Sequence, residues 1–229
     1  MHSFVRTAFL AGVSAFALSP ASAIASGSHL VVERSRTNAH RAAHEDSGRT
    51  LEVLYDQTSN DSGSGTLSQD MGDVYTSRAA DDFTVPEGTH WMIEEVDVTG
   101  AYLEGPGPAR SVEVTFHRSA HHKPGGVKMD AAIIPTSDDN SSFRLKLGKN
   151  SVRLKPGHYW ISVVANMDFA GFGEWLWENQ TAGTTEGDPA VWENPMGGLG
   201  VGCTTWTVES KCTQTPLGDH IFVLKGRAR

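Results

Sequence analysis

Apolar and polar positions alternate with a period of two in segment after segment of this chain. In residues 111–118, Val112, Val114 and Phe116 point one way and Glu113, Thr115 and His117 the other, because successive side chains of an extended strand leave opposite faces. Residues 143–147 repeat the pattern, with Phe143, Leu145 and Leu147 set against Arg144 and Lys146. Residues 159–165 are apolar on nearly both faces, as expected of a central strand. Segments at 51–55, 80–85, 90–103, 152–154, 174–177, 204–208 and 220–225 bring the expectation to nine to eleven strands. Clusters of Gly, Pro, Asp, Asn and Ser divide them. Residues 60–65 read as a loop, and Pro86-Glu87-Gly88, Gly105-Pro106-Gly107-Pro108 and Pro156-Gly157 as turns. Helical periodicity is almost absent. The pattern predicts an all-β fold, an antiparallel two-sheet β-sandwich that is jelly-roll-like, over residues 51–229.

The first 50 residues follow other rules. Arg6 precedes a short apolar run at 9–18, Pro20 breaks it, and Ala21-Ser22-Ala23 offers small residues for cleavage after Ala23. That order predicts a signal peptide over residues 1–23, against a buried helix or an uncleaved anchor. The run is too short to cross a bilayer as a mature helix. Residues 24–50 hold four arginines and three histidines with few apolar side chains. Such a stretch has little apolar surface to offset its ordering entropy, so it reads as a flexible leader or propeptide. A short helix over 37–46 is the alternative.

Charge narrows the partners. The chain has 19 basic and 27 acidic side chains; setting aside Arg6 and the leader's four arginines and three acids leaves 14 and 24, a net of −10 for the domain. That surface repels phosphate backbones, so no nucleic-acid partner is expected. No second apolar span follows the signal, and the C-terminus carries no anchor or sorting pattern, which favours free secretion, extracellular or periplasmic. Cys203 and Cys212 are the only cysteines. In an exported chain they are expected to form a disulfide, with free thiols or a metal pair as the alternatives.

Four stretches, in order, resemble those of bacterial secreted and surface β-sandwich domains, which occur in exported proteins and as accessory modules. They are AADDFTVP at 79–86, VDVTGAY at 96–102, LKPGHYWISV at 154–163 and the block 192–206, which contains GGLGVGCTTW at 197–206. The resemblance implies a jelly-roll-like sandwich and an extracellular setting. It implies no settled activity and transfers no catalytic residue.

Chemistry is sparsely marked. No nucleophile elbow, H-E-x-x-H, Walker loop or dinucleotide fingerprint is present. His117, His121 and His122 form the densest histidine group and could offer imidazoles to a metal, but Lys123 opposes a cation and the group reads first as a solvated loop. Asp56, Asp61, Asp81 and Asp82 lie near expected strand ends. They could supply oxygens to a structural Ca²⁺, or simply make turns. Five of six tryptophans fall within 47 residues. Trp160 and Trp206 read as core. Trp175, Trp177 and Trp192, flanked by Glu174 and Asn194, could stack on sugar rings or fill the core. The expected function is a secreted, non-enzymatic binding or surface-interaction module whose partner is an extracellular glycan or surface protein. The alternatives are an extracellular hydrolase using a carboxylate pair and a purely structural protein.

Overall fold

The structure is a computed structural model that describes residues 31–33 and 50–229. The expected signal peptide lies outside the described residues, as does the leader apart from 31–33. Those three form a strand, Val31–Glu33 (β1). From residue 52 onward there are sixteen more. In chain order these are β2 (Glu52–Asp56), β3 (Asp61–Leu67), β4 (Gln69–Asp70), β5 (Arg78–Val85), β6 (Trp91–Val98), β7 (Gly100–Leu103), β8 (Ser111–Ser119), β9 (Pro124–Ile133), β10 (Ser137–Asp139), β11 (Ser142–Lys146), β12 (Val152–Leu154), β13 (Gly157–Asn166), β14 (Glu174–Gln180), β15 (Val191–Glu193), β16 (Thr207–Val208) and β17 (Phe222–Ala228). Among the described residues the helices are single turns, α1 (Phe169–Phe172) and α2 (Glu209–Thr213), with a 3-10 turn at Gly148–Asn150.

The fold is an all-β antiparallel sandwich, as the alternation predicts. One sheet runs β16-β15-β5-β13-β8-β9, with β4 also on β13. A second runs β10-β11-β6-β17-β2, with β12 also on β6, and a third runs β1-β3-β14-β7. Every pairing is antiparallel except β4 with β13. The second and third sheets are stitched together. Thr99 alone separates β6 from β7, its carbonyl accepts from the Glu178 N–H, and Asn179 bridges to His220 just before β17.

Aromatic rings from facing sheets meet in the core. Phe83 of β5 packs on Trp91 of β6, with ring centres 6.2 Å apart, and on Tyr55 of β2 at 6.1 Å. Phe143 of β11 stacks on Trp175 of β14 at 5.0 Å. On the outer side of β6, Glu95 and Asp97 form a charge ladder with Lys225 and Arg144 of the flanking strands; the Lys225 ammonium lies 2.6 Å from Asp97. The alternate charged residues of these strands pair across it.

Three departures from the sequence reading have physical causes. Residues 60–65 were expected to loop, yet Asp61–Leu67 is a strand. Gly65 sits where a Cβ would come 2.9 Å from the Trp177 carbonyl oxygen, so glycine there permits close strand packing rather than a turn. The segment 90–103 divides at Thr99 and serves two sheets. Strand β9 is half-exposed at a sheet edge, where alternation is weak. Such divisions, together with pieces of two or three residues, raise the strand count above nine to eleven.

Cys203 and Cys212 are bonded, with Cα atoms 5.9 Å apart. No helix among the described residues is long and apolar enough to cross a membrane.

Candidate metal centre

Strand β13 enters after the Pro156-Gly157 turn and pairs with β5 so that Trp160 lies opposite Asp82 and His158 opposite Thr84. His158 and Asp82 are therefore diagonal neighbours on one face, close enough for side chains to meet. His158 Nε2 is in hydrogen-bond contact with Asp82 Oδ2. Asp188 joins from the loop before β15. Its backbone N–H donates to Asp82 Oδ1 at 3.0 Å, and its own Oδ2 lies 3.8 Å from His158 Nδ1. Gly187 makes this approach possible. Its φ is +106°, and a Cβ would fall 2.3 Å from Asp82 Oδ2, so an L side chain there meets both strain and collision.

A fourth group reaches over from the β8–β9 hairpin. His122 Nδ1 lies 2.8 Å from Asp188 Oδ1 and 3.1 Å from Oδ2. His121 and His122 take successive left-handed backbone conformations, φ 52° and 59°, which non-glycine residues adopt at some cost. The His122 ring is exposed and the Asp82 carboxylate is buried, so the cluster runs from solvent inward.

Ligating atoms of Asp82, His158 and Asp188 all lie within 4.8 Å of one another, the one such group of three among the described residues. Burial pushes the Asp82 carboxyl up to about 6; contact with His158 pulls it down in part, and Asp219 pushes it up further. A cation at this point offsets the desolvation of the carboxylate. Imidazole nitrogen with carboxylate oxygen suits zinc or a neighbouring divalent transition metal, whereas Ca²⁺ takes oxygen alone.

Of the four aspartates expected as a calcium set, only Asp82 belongs to this cluster. Asp56 is exposed and accepts from the Thr58 N–H and hydroxyl. Asp61 accepts from the Gly63 N–H at 2.7 Å. Asp81 points the other way from Asp82 into the interior, where its Oδ2 accepts from Gln57 and from the His220 N–H. The expected oxygen cage is thus not assembled, because neighbours in a strand face opposite sides. Of the histidine group, His122 reaches the cluster. His117 faces Gly125 O at 3.1 Å, and burial pulls its pKa down.

The sugar-stacking expectation fails at its rings. Trp175, Trp177 and Trp192 are each 0% exposed, and their indole N–H groups donate to the carbonyls of Ser141, Ile221 and Leu67. Rings with covered faces pack the core and offer nothing to a sugar. Asn194 is equally internal, holding the carbonyls of Val74 and Thr76 and the Leu199 N–H. Glu174 is buried as well. A separate open cleft of about 490 Å³ is lined by Asp70, Arg110, Ser111, Glu113, Asn166 and Asp168.

Sequence reasoning missed His158 and Asp188. The expected strand begins at residue 159, nothing local pairs 158 with 82, and Asp188 sits in a Gly-Asp-Pro stretch with no motif around it. Compared with protein-family models and with curated proteins, the chain matches none.

Proposed function

We propose that this chain is an exported β-sandwich binding module whose binding centre holds a zinc-like divalent cation at Asp82, His158 and Asp188, with His122 closing it from the hairpin. The convergence of ligating atoms from three separate elements within 4.8 Å carries the reading. The buried carboxylate at its base supports it, since such a group gains from a cation. Export rests on the N-terminal sequence and agrees with the Cys203–Cys212 bond, which persists in oxidising compartments.

The test is metal content and calorimetry on the chelator-treated, dialysed chain. One zinc per chain is expected, with silence toward calcium. His158→Ala is expected to weaken zinc binding by at least about tenfold, and His121→Ala, outside the cluster, to leave it unchanged. A folded wild-type chain that takes up no stoichiometric zinc would overturn the reading.

A second reading, glycan binding, moves from the buried tryptophans to the open cleft. Asp70, Asn166 and Asp168 present planar polar groups there, with Phe169 and Phe172 partly exposed just along the chain. Loss of glycan-array binding in Asn166→Ala, with zinc binding kept, would support it; an empty array for the wild-type chain would remove it.

A further inference from the structure

Strands β3 and β14 pair with Thr66 opposite Trp177 and Gly65 opposite Glu178. Thr66 and Asn179 are therefore diagonal neighbours on one face. Both are 0% exposed. Thr66 Oγ1 lies 3.0 Å from Asn179 Oδ1, so the hydroxyl oxygen sits against the side-chain amide. A buried threonine beside a buried asparagine is ordinary in itself. The third group is what sets this cluster apart.

Glu209, in α2, is 2% exposed. Its Oε1 accepts from the Thr66 hydroxyl at 2.7 Å and from Asn179 Nδ2 at 2.9 Å. One carboxylate oxygen thus touches both the hydroxyl that could attack the amide and the nitrogen that would leave it. The amide is held in that orientation by a second bond from Nδ2 to the Gly218 carbonyl at 3.1 Å. The carboxylate is held as well. Its Oε2 lies 2.8 Å from His220 Nε2, and the fully buried His220 ring stacks on Trp177 with centres 4.3 Å apart at 14°. Nucleophile, proton carrier and electrophile are fixed by separate elements in a site closed to water, and fixed placement is the main requirement for an intramolecular acyl transfer.

We propose that Thr66 and Asn179 react in the folded chain to form an intramolecular ester that crosslinks β3 to β14. Thr66 Oγ1 attacks Asn179 Cγ, and Glu209 Oε1 accepts the hydroxyl proton. The tetrahedral intermediate collapses with cleavage of the Cγ–Nδ2 bond, and Glu209 returns the proton to the departing nitrogen. One C–O bond forms, one C–N bond breaks, and one ammonia leaves. No oxidant, cofactor or added water is required. The same burial that orders the reactants protects the ester, because hydrolysis needs a water that the closed site excludes. His220 is a positioning residue, acting through Glu209.

The product ties together two strands whose linked residues are 113 positions apart in sequence. A bond across so long a loop restricts the unfolded chain in the manner of a disulfide, and unlike a disulfide it survives reduction. An exported protein gains persistence from such a link where no machinery refolds it.

The test is mass spectrometry of the exported, purified and reduced chain, by intact mass and by peptide map. Peptides containing Thr66 and Asn179 are expected as a single linked species, lighter than their sum by one ammonia, and alkaline hydroxylamine is expected to separate them. Thr66→Val removes the hydroxyl at nearly constant shape and should yield two separate peptides. Thr66→Ser should restore the link. Glu209→Gln, if folded by circular dichroism, should lose the link or form it over a much longer time. Two unlinked, unmodified peptides from folded wild-type chain would overturn the proposal. So would conversion of Asn179 to aspartate without a link, or a link that persists in Thr66→Val.

Discussion

The Asp82 carboxylate is contacted on one oxygen by His158, its diagonal neighbour on the adjoining strand, and on the other by the Asp188 N–H. The strand pair fixes the first contact and the loop supplies the second. Gly187 links the two, because the loop reaches the carboxylate only where no Cβ intervenes. Gly187→Ala therefore removes no ligand, yet it is expected to displace Asp188 and to weaken zinc binding by about tenfold or more. Calorimetry beside the wild-type chain checks this, and unchanged affinity would show that the loop position is immaterial.

The tryptophans make a prediction about light rather than ligands. Trp160, Trp175, Trp177 and Trp192 are each 0% exposed and Trp91 is 6% exposed, while Trp206 is only partly covered. Acrylamide is expected to quench a small component of the fluorescence, and Trp206→Phe to abolish that component. Strong quenching that survives the substitution would contradict the packing.

Gly65 is held by contact rather than by conformation. A methyl group there would lie 2.9 Å from the Trp177 carbonyl oxygen and 3.0 Å from Leu176 Cβ. Neither neighbour is the free end of a flexible side chain. Gly65→Ala is expected to cost about 1–3 kcal/mol, the usual penalty for overpacking an interior. Urea unfolding measures it.

The disulfide closes a loop of nine residues in sequence separation. On the chain-entropy account, its loss in the double Cys203→Ser, Cys212→Ser variant costs about 2–3 kcal/mol. The same urea experiment checks this.

Glu174 gives the fold a dependence on pH. Burial, with a smaller push from Glu104, raises its carboxyl from an ordinary 4.5 to about 7. The folded chain therefore keeps a proton that the unfolded chain gives up. This group's contribution is most favourable below pH 4.5 and declines as pH rises from about 4.5 to about 7, after which it is flat. Glu174→Gln cannot lose the proton and is expected to flatten that part of the stability profile. Urea midpoints across pH 4 to 8 for both chains check the sign.

How much of this was legible in the sequence depends on the range of the interaction involved. Val112, Val114 and Phe116 announced their shared face because strand alternation is local, and all three are buried. Trp160 was readable as core for the same reason. The cysteine pair needed only two residues and an oxidising destination. Gly65 misled, since glycine signals both turns and close packing, and only the partner strand tells them apart. The tryptophans near Glu174 carried no sign of which side of the sheet was covered.

The sequence by itself determined the all-β class, the inward faces of the alternating strands, the expectation of export and the cysteine pairing, because each follows from neighbours along the chain or from composition. Tertiary structure alone decided that Asp82 turns toward His158 while Asp81 turns away into the interior. It alone brought Asp188 and His122 to the same point, and set Thr66, Asn179 and Glu209 within hydrogen-bond reach. Those meetings depend on which strands pair and in what register, and register is set by the burial of whole faces rather than by any residue's immediate neighbours.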